Sequence, residues 1–291
     1  MVYLMLSLLT KHQSRAVGVL GLMALLAVAL LPTTLLAQEE PLPVPGRVAT
    51  LAFFLDSTDT LEPGTLWFTN VVTYRKAPGG KELDIPAVGI SFGLARRIQV
   101  DFSIPYFRTE YGSDFRMNGI GDKFLSAKIR VRDADSGKLG VAFEPTLEIL
   151  GKGSLAAGAQ GPKKYNVALP IIVQKNFSRF NLFGEAGYIT RGAIFVGVGS
   201  DAPIYRRLGG GINVLYSRAT RFNDLSREFG LLRSRVDANL GLYYVFHPRF
   251  SMFASAGRTL SRMDAIATSY ILNLGLNFNF NVRDPHRRRE Q

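Results

Sequence analysis

Apolar and polar residues alternate with period two along much of this chain. In residues 270–280, YILNLGLNFNF, the apolar Tyr270, Leu272, Leu274, Leu276, Phe278 and Phe280 are interleaved mostly with Asn273, Gly275, Asn277 and Asn279. A β-strand sends successive side chains to opposite faces, whereas a helix would smear this pattern around its circumference. The segment therefore predicts a strand with one oily and one wet face. The same alternation recurs in 100–106, 167–174 and 236–246, and more weakly in 210–217 and 250–257. In all, twelve strands are predicted, near 65–75, 84–95, 97–108, 119–132, 139–150, 165–175, 179–191, 193–202, 207–218, 234–246, 249–259 and 268–281. No helical period interrupts them.

Two-faced strands suit a soluble sandwich, with the oily face inward, or a membrane barrel, with the oily face toward lipid. The connectors decide between them. Short Arg-bearing turns at Arg97, Arg179, Arg207 and Arg249 fall between every second pair of strands. The remaining connectors, RKAPGGKEL, RTEYGSDFRMNG, GKGSLAAGAQGPKKY and RATRFNDLSREFGLLRS, are mostly longer. Sorting by length in this way matches the two ends of an outer-membrane barrel. The predicted fold class is all-β: a transmembrane antiparallel up-and-down barrel of about twelve strands spanning 64–281. Pro105, Pro145 and Pro170 lie within predicted strands. Because proline donates no ladder hydrogen bond and a closed barrel has no edge, bulges or strand ends are expected there.

The N-terminus adds a destination. Lys11, His12 and Arg15 precede an apolar run that ends near TLLA-QEE, which reads as a signal peptide over 1–37. An uncleaved anchor is the alternative. Residues 38–63 begin Pro-rich and read either as a periplasmic lead-in or as a lumen plug, and 282–291 as a basic periplasmic tail. The 291 residues carry a net charge of +12 and no cysteine, which excludes disulfides and thiolate metal sites.

Three blocks resemble the outer-membrane barrels named after the phenol meta-degradation pathway: LEPGTLWFTNVVTY, LARRIQVDFSIPYF and NGIGDKFLSAKIRV. The last block carries the family-motif positions Gly119, Gly121 and Asp122, followed by Lys128 and Arg130. The resemblance implies a channel for small organic, often hydrophobic or aromatic, compounds. The C-terminus departs from the usual barrel ending, because NVRDPHRRREQ follows Phe280.

Candidate chemistry lies on the wet faces. With the oily faces outward, the lumen-lining candidates are Asp101, Asp122, Ser126, Lys128, Arg130, Glu144, Glu148, Asn181, Glu185, Asp237, Asn239, Asn273 and Asn277. The turn DADSGK sets Lys128 opposite Glu144, a cross-strand pair of about 0.2–1 kcal/mol. Inward glycines, among them Gly93, Gly197 and Gly275, favour open space. Trp67, Tyr106, Phe107, Tyr188, Tyr216 and Phe246 are candidates for the interfacial aromatic girdles. The three histidines, His12, His247 and His286, lie off the strands, so no Ser–His pair is set up and catalysis is not expected. No metal or cofactor motif is visible. The expected partners are outer-membrane lipid and lipopolysaccharide, a small-molecule solute and the barrel-assembly machinery. No nucleic acid is expected, and the chain is expected to be a monomer. The rival to a channel is a closed structural or surface-binding barrel with long basic extracellular loops.

Overall fold

The computed structural model describes residues 55–112, 115–134, 137–151, 165–190, 192–220, 231–264 and 267–282. The signal segment, most of the two longest loops and the basic tail lie outside these residues.

Fourteen strand segments form one antiparallel sheet: β1 (Thr65–Ala77), β2 (Gly80–Ala95), β3 (Ile98–Tyr111), β4 (Phe115–Ile120), β5 (Lys123–Arg132), β6 (Gly140–Phe143), β7 (Thr146–Ile149), β8 (Tyr165–Asn176), β9 (Asn181–Ile189), β10 (Ala193–Tyr205), β11 (Leu208–Ala219), β12 (Ser234–His247), β13 (Phe250–Thr259) and β14 (Tyr270–Asn281). Apart from β4–β5 and β6–β7, each strand pairs with its sequence neighbour, and β1 pairs with β14 from Thr65↔Asn281 to Lys76↔Tyr270, which closes the sheet into a barrel. β4 and β5 both pair with β3, and β6 and β7 both pair with β5 and β8, so each couple is one interrupted stave. The barrel therefore has twelve staves. The β1–β14 pairing joins the first strand to the last, the closure that a bilayer requires of a strand-built span.

Proline causes the interruptions. Pro105 in β3 has no N–H to give, and the neighbouring stave breaks beside it, where Gly121 N–H donates to the Pro105 carbonyl at 2.9 Å. A side chain on Gly121 would collide with the Pro105 ring. The second break, at Glu144 and Pro145, faces Pro170 of β8, whose carbonyl accepts from Glu144 N–H at 3.2 Å. The motif positions Gly119, Gly121 and Asp122 thus build the first break, and Asp122 Oδ1 accepts from Gly151 N–H at 2.7 Å.

The burial pattern assigns the faces. Leu240, Leu242, Leu274, Leu276, Ile194, Val196 and Val198 are exposed on the exterior, while Asp237, Asn239, Asn273 and Asn277 are buried inside. Two connectors differ from expectation. RTEYGSDFRMNG is mostly strand, with β3 and β4 paired up to Tyr111↔Phe115. RKAPGGKEL is no loop: Ala77 pairs with Gly80 across a two-residue turn. The strands run on because their upper ends carry paired charges, Arg75–Glu82 at 2.7 Å and Lys81–Glu110 at 2.6 Å.

Some inward glycines also differ from expectation. Gly275 and several others are seats for rings, whereas Gly89 lines open space and Gly93 and Gly197 make room for the segment before β1. The Phe253 ring lies over Gly275, Tyr243 over Gly209, Phe183 over Gly199 and Phe195 over Gly187. Phe253, buried to 1% exposure, packs with Val71, Ala87 and Tyr243 in an apolar cluster inside the barrel. Large rings cross the lumen wall where the opposing strand has no side chain, so part of the bore is filled.

Candidate functional site

A segment from Leu55 to Gly64 precedes β1. It rises from the end carrying the short turns into the lumen, and Leu55, Ser57 and Thr58 are all buried. Inward glycines give it room: the Leu55 side chain lies against Gly197, and the backbone at Glu62 lies against Gly93. Inward polar side chains then take up its backbone groups. Thr58 N–H and Oγ1 both donate to Gln174 Oε1 at 3.0 Å, Leu61 N–H donates to Gln99 Oε1 at 2.9 Å, and Asp56 N–H donates to Glu185 Oε2 at 3.1 Å. Residues 47–54 lie outside the described residues.

Lys128 is the hub of this interior. It is 2% exposed, and its ammonium pairs with Asp56 Oδ2 of the strap and stands 3.4 Å from Glu144 Oε2. β5 and the β6–β7 break set the Glu144 side of this contact, since the register runs through Ile129↔Phe143 and Ser126↔Thr146. The anticipated cross-strand pair is thus present inside a larger network that includes a residue from outside the barrel wall. Ser126 Oγ donates to Glu144 Oε1 at 3.0 Å and lies 3.4 Å from Asp101 Oδ2, and Gln99 Nε2 donates to Asp101 Oδ1 at 2.7 Å.

Beside this network lies a cavity of about 570 Å³, lined by strap residues, Trp67, Thr69, Ser91, Asp101, Ser126, Lys128, Glu144, Thr146 and Glu185. Of the sequence candidates, Asp101, Ser126, Lys128, Glu144 and Glu185 therefore meet at one place. The others do not join them. Arg130 turns to the short-turn rim, where it reaches the Arg96 carbonyl at 2.8 Å and Asp133 at 3.0 Å. Glu148 accepts from Asn166 Nδ2 at 2.5 Å, and Asp122 is held at the β4–β5 break. Asp237 bonds Thr259 and Arg235 at 2.6 and 2.7 Å. Asn273 and Asn277 form inward hydroxyl–amide ladders with Thr73, Ser255, Thr69 and Ser251, while Asn239 is buried and Asn181 partly so.

Trp67 and Phe107 are corrections. Both are 6% exposed and face inward, so neither belongs to a girdle. The mixed faces of β1 hid this, because its inward row is Thr65, Trp67, Thr69 and Val71. An aromatic belt does exist on the exterior near the short-turn end, where Tyr244, Phe246, Phe250 and Phe278 touch in series, edge-to-face, stacked and tilted in turn, with ring centroids 4.8–5.2 Å apart. Tyr106, Tyr188 and Tyr216 are exposed. The residues that sequence reasoning missed are Asp56, Gln99 and Gln174. The polar phase of β3 and β8 held a signal for the two glutamines, but nothing local marked Asp56.

No family model matches the chain, and no curated protein matches it. Among solved structures, the chain is similar to an outer-membrane channel from Pseudomonas putida F1, with 12% identity and a TM-score of 0.56, over 77% of this chain and 98% of that one. It is also similar to the NanC porin, with 8% identity and a TM-score of 0.52, over 72% of this chain and 98% of the porin. At these identities the likeness carries the fold. Together with an apolar exterior, an external aromatic belt and a polar interior, it identifies the chain as a twelve-stave β-barrel of the outer membrane.

Proposed function

We propose that this barrel is a passive, non-enzymatic channel for small organic solutes, of the phenol meta-degradation type that its opening blocks resemble. One observation carries the reading: a cavity of about 570 Å³, lined by both apolar and charged side chains, remains inside the barrel although the strap and the inward rings fill much of the rest. A purely structural barrel has no need of such a space, and lumen side chains are where selectivity arises. The solved channel from Pseudomonas putida F1 shares the architecture. In this reading the barrel works as a monomer that the barrel-assembly machinery inserts into the outer membrane. The rings seated over Gly275, Gly209 and Gly199 favour the rival, a closed structural barrel.

Single-channel recording of the refolded protein in a planar bilayer separates the two. Steady conductance with a reversal potential under a salt gradient supports the channel. Silence from protein shown to be folded by its gel shift on boiling would sink it.

A further inference from the structure

We infer that the lumen cavity is a site for a small organic cation, an amine or quaternary ammonium carrying an aromatic or apolar group. This deepens the channel reading and rests on it. The chain as a whole is basic, at +12, yet the cavity wall is acidic: Asp56, Asp59, Asp101, Glu144 and Glu185 face a single cation, Lys128. The carboxylates arrive from the strap, β3, the β6–β7 break and β9, so no local stretch of sequence is acidic. Protein walls of low dielectric strengthen the field of such a set, which raises the local concentration of cations.

Lys128 does not discharge the set. Its ammonium is taken by Asp56 and Glu144. Glu144 is 9% exposed and lines the cavity; its Oε1 accepts from Ser126 and its Oε2 faces Lys128. Trp67 lines the same cavity from β1. An indole is the best aromatic partner for a cation and also packs an apolar group. The volume lies in the range of small-molecule sites. A bare metal ion fits less well, because among the described residues no group of three or more carboxylates or histidines is set to hold one, and the Lys128 ammonium stands within the cluster. A monovalent ammonium with a bulky group can approach Asp101 and Glu185 without displacing Lys128.

The test uses three probes of one shape and different charge: benzylamine, benzyl alcohol and benzoate. Trp67 is the only tryptophan in the chain, so its emission reports the cavity wall, and calorimetry on the same refolded protein measures affinity. Benzylamine is expected to bind saturably and at least tenfold more tightly than the other two. Glu144→Gln is expected to weaken it at least tenfold, whereas Glu148→Gln, away from the cavity, leaves it unchanged. Should Glu144→Gln fail to fold, Glu185→Gln carries the same expectation. Absence of saturable benzylamine binding, benzoate binding as tightly, or full affinity in the folded lumen variants would each overturn the inference. Binding does not depend on conduction. A silent barrel that binds benzylamine overturns the channel and keeps the site, and a conducting barrel that ignores benzylamine overturns the site alone.

Discussion

Replacing Lys128 by methionine should release the strap while leaving the barrel folded. Six hydrogen bonds tie the strap to the barrel, given by Asp56 N, Thr58 N, Thr58 Oγ1, Thr60 Oγ1 and Leu61 N and accepted by Asp59 Oδ2, and contribute about 1 kcal/mol each. Burial of Leu55, 4% exposed, adds about 2 kcal/mol. Against these, ordering residues 55–61 costs about 1 kcal/mol per residue at the low end, roughly 7 kcal/mol in all. The sum is close to zero without the ion pair, so Lys128 and Asp56 decide whether the strap stays. Removing one partner of a buried pair costs about 3–5 kcal/mol, and the adjoining cavity argues for the low end. The barrel can escape that cost by letting Asp56 leave the lumen. Hydrogen exchange read by mass spectrometry on the 55–61 peptide should therefore accelerate by roughly 100-fold in Lys128→Met, the factor that about 3 kcal/mol represents. The double variant Asp56→Asn, Lys128→Met should recover part of the protection, because losing both partners strands no charge. Exchange within threefold of the parent in a folded Lys128→Met barrel would falsify the reasoning, as would an unprotected strap in the parent itself.

Two further outcomes test the faces of the barrel. Gly275→Val drives a side chain into the Phe253 ring and should lower stability by about 1–3 kcal/mol in urea unfolding, with Phe253→Ala in the same chain relieving the clash; no loss in the single variant would contradict the ring seat. Leu240→Arg, at a site 59% exposed on the exterior, should cost about 2–4 kcal/mol when folded into a bilayer and far less in a micelle that can deform around it, and equal cost in both would argue against lipid at that position.

The barrel was legible because its determinants are local. Period-two alternation sets the face of each strand, and the short Arg turns set the connections, so the β12 and β14 predictions agree closely with Ser234–His247 and Tyr270–Asn281. Pro145 marked a break in its own stave, but β3 and β8 run on through Pro105 and Pro170, and it is the neighbouring stave that is interrupted beside each. Errors arose where one residue type serves two environments. Proline and glycine in RKAPGGKEL suit a long loop or a tight turn, and only the ion pairs flanking Ala77 and Gly80 select the turn. Trp67 suits a membrane interface or a lumen wall, and the mixed faces of β1 did not say which.

The site was less legible than the wall. The Lys128–Glu144 pairing followed from register across one short turn. The sequence also determined the closed all-β architecture and which faces are polar, because each rests on the alternation of neighbouring residues. It could not determine that Asp56 reaches Lys128, that Glu185 meets Asp56, or that Phe253 covers Gly275. Those contacts join residues 72, 129 and 22 positions apart, brought together by barrel closure and by a strap folding back into the lumen. Whether an inward glycine leaves space or receives a ring depends on which residue the curved sheet places next to it, and that is settled only when all twelve staves are in place.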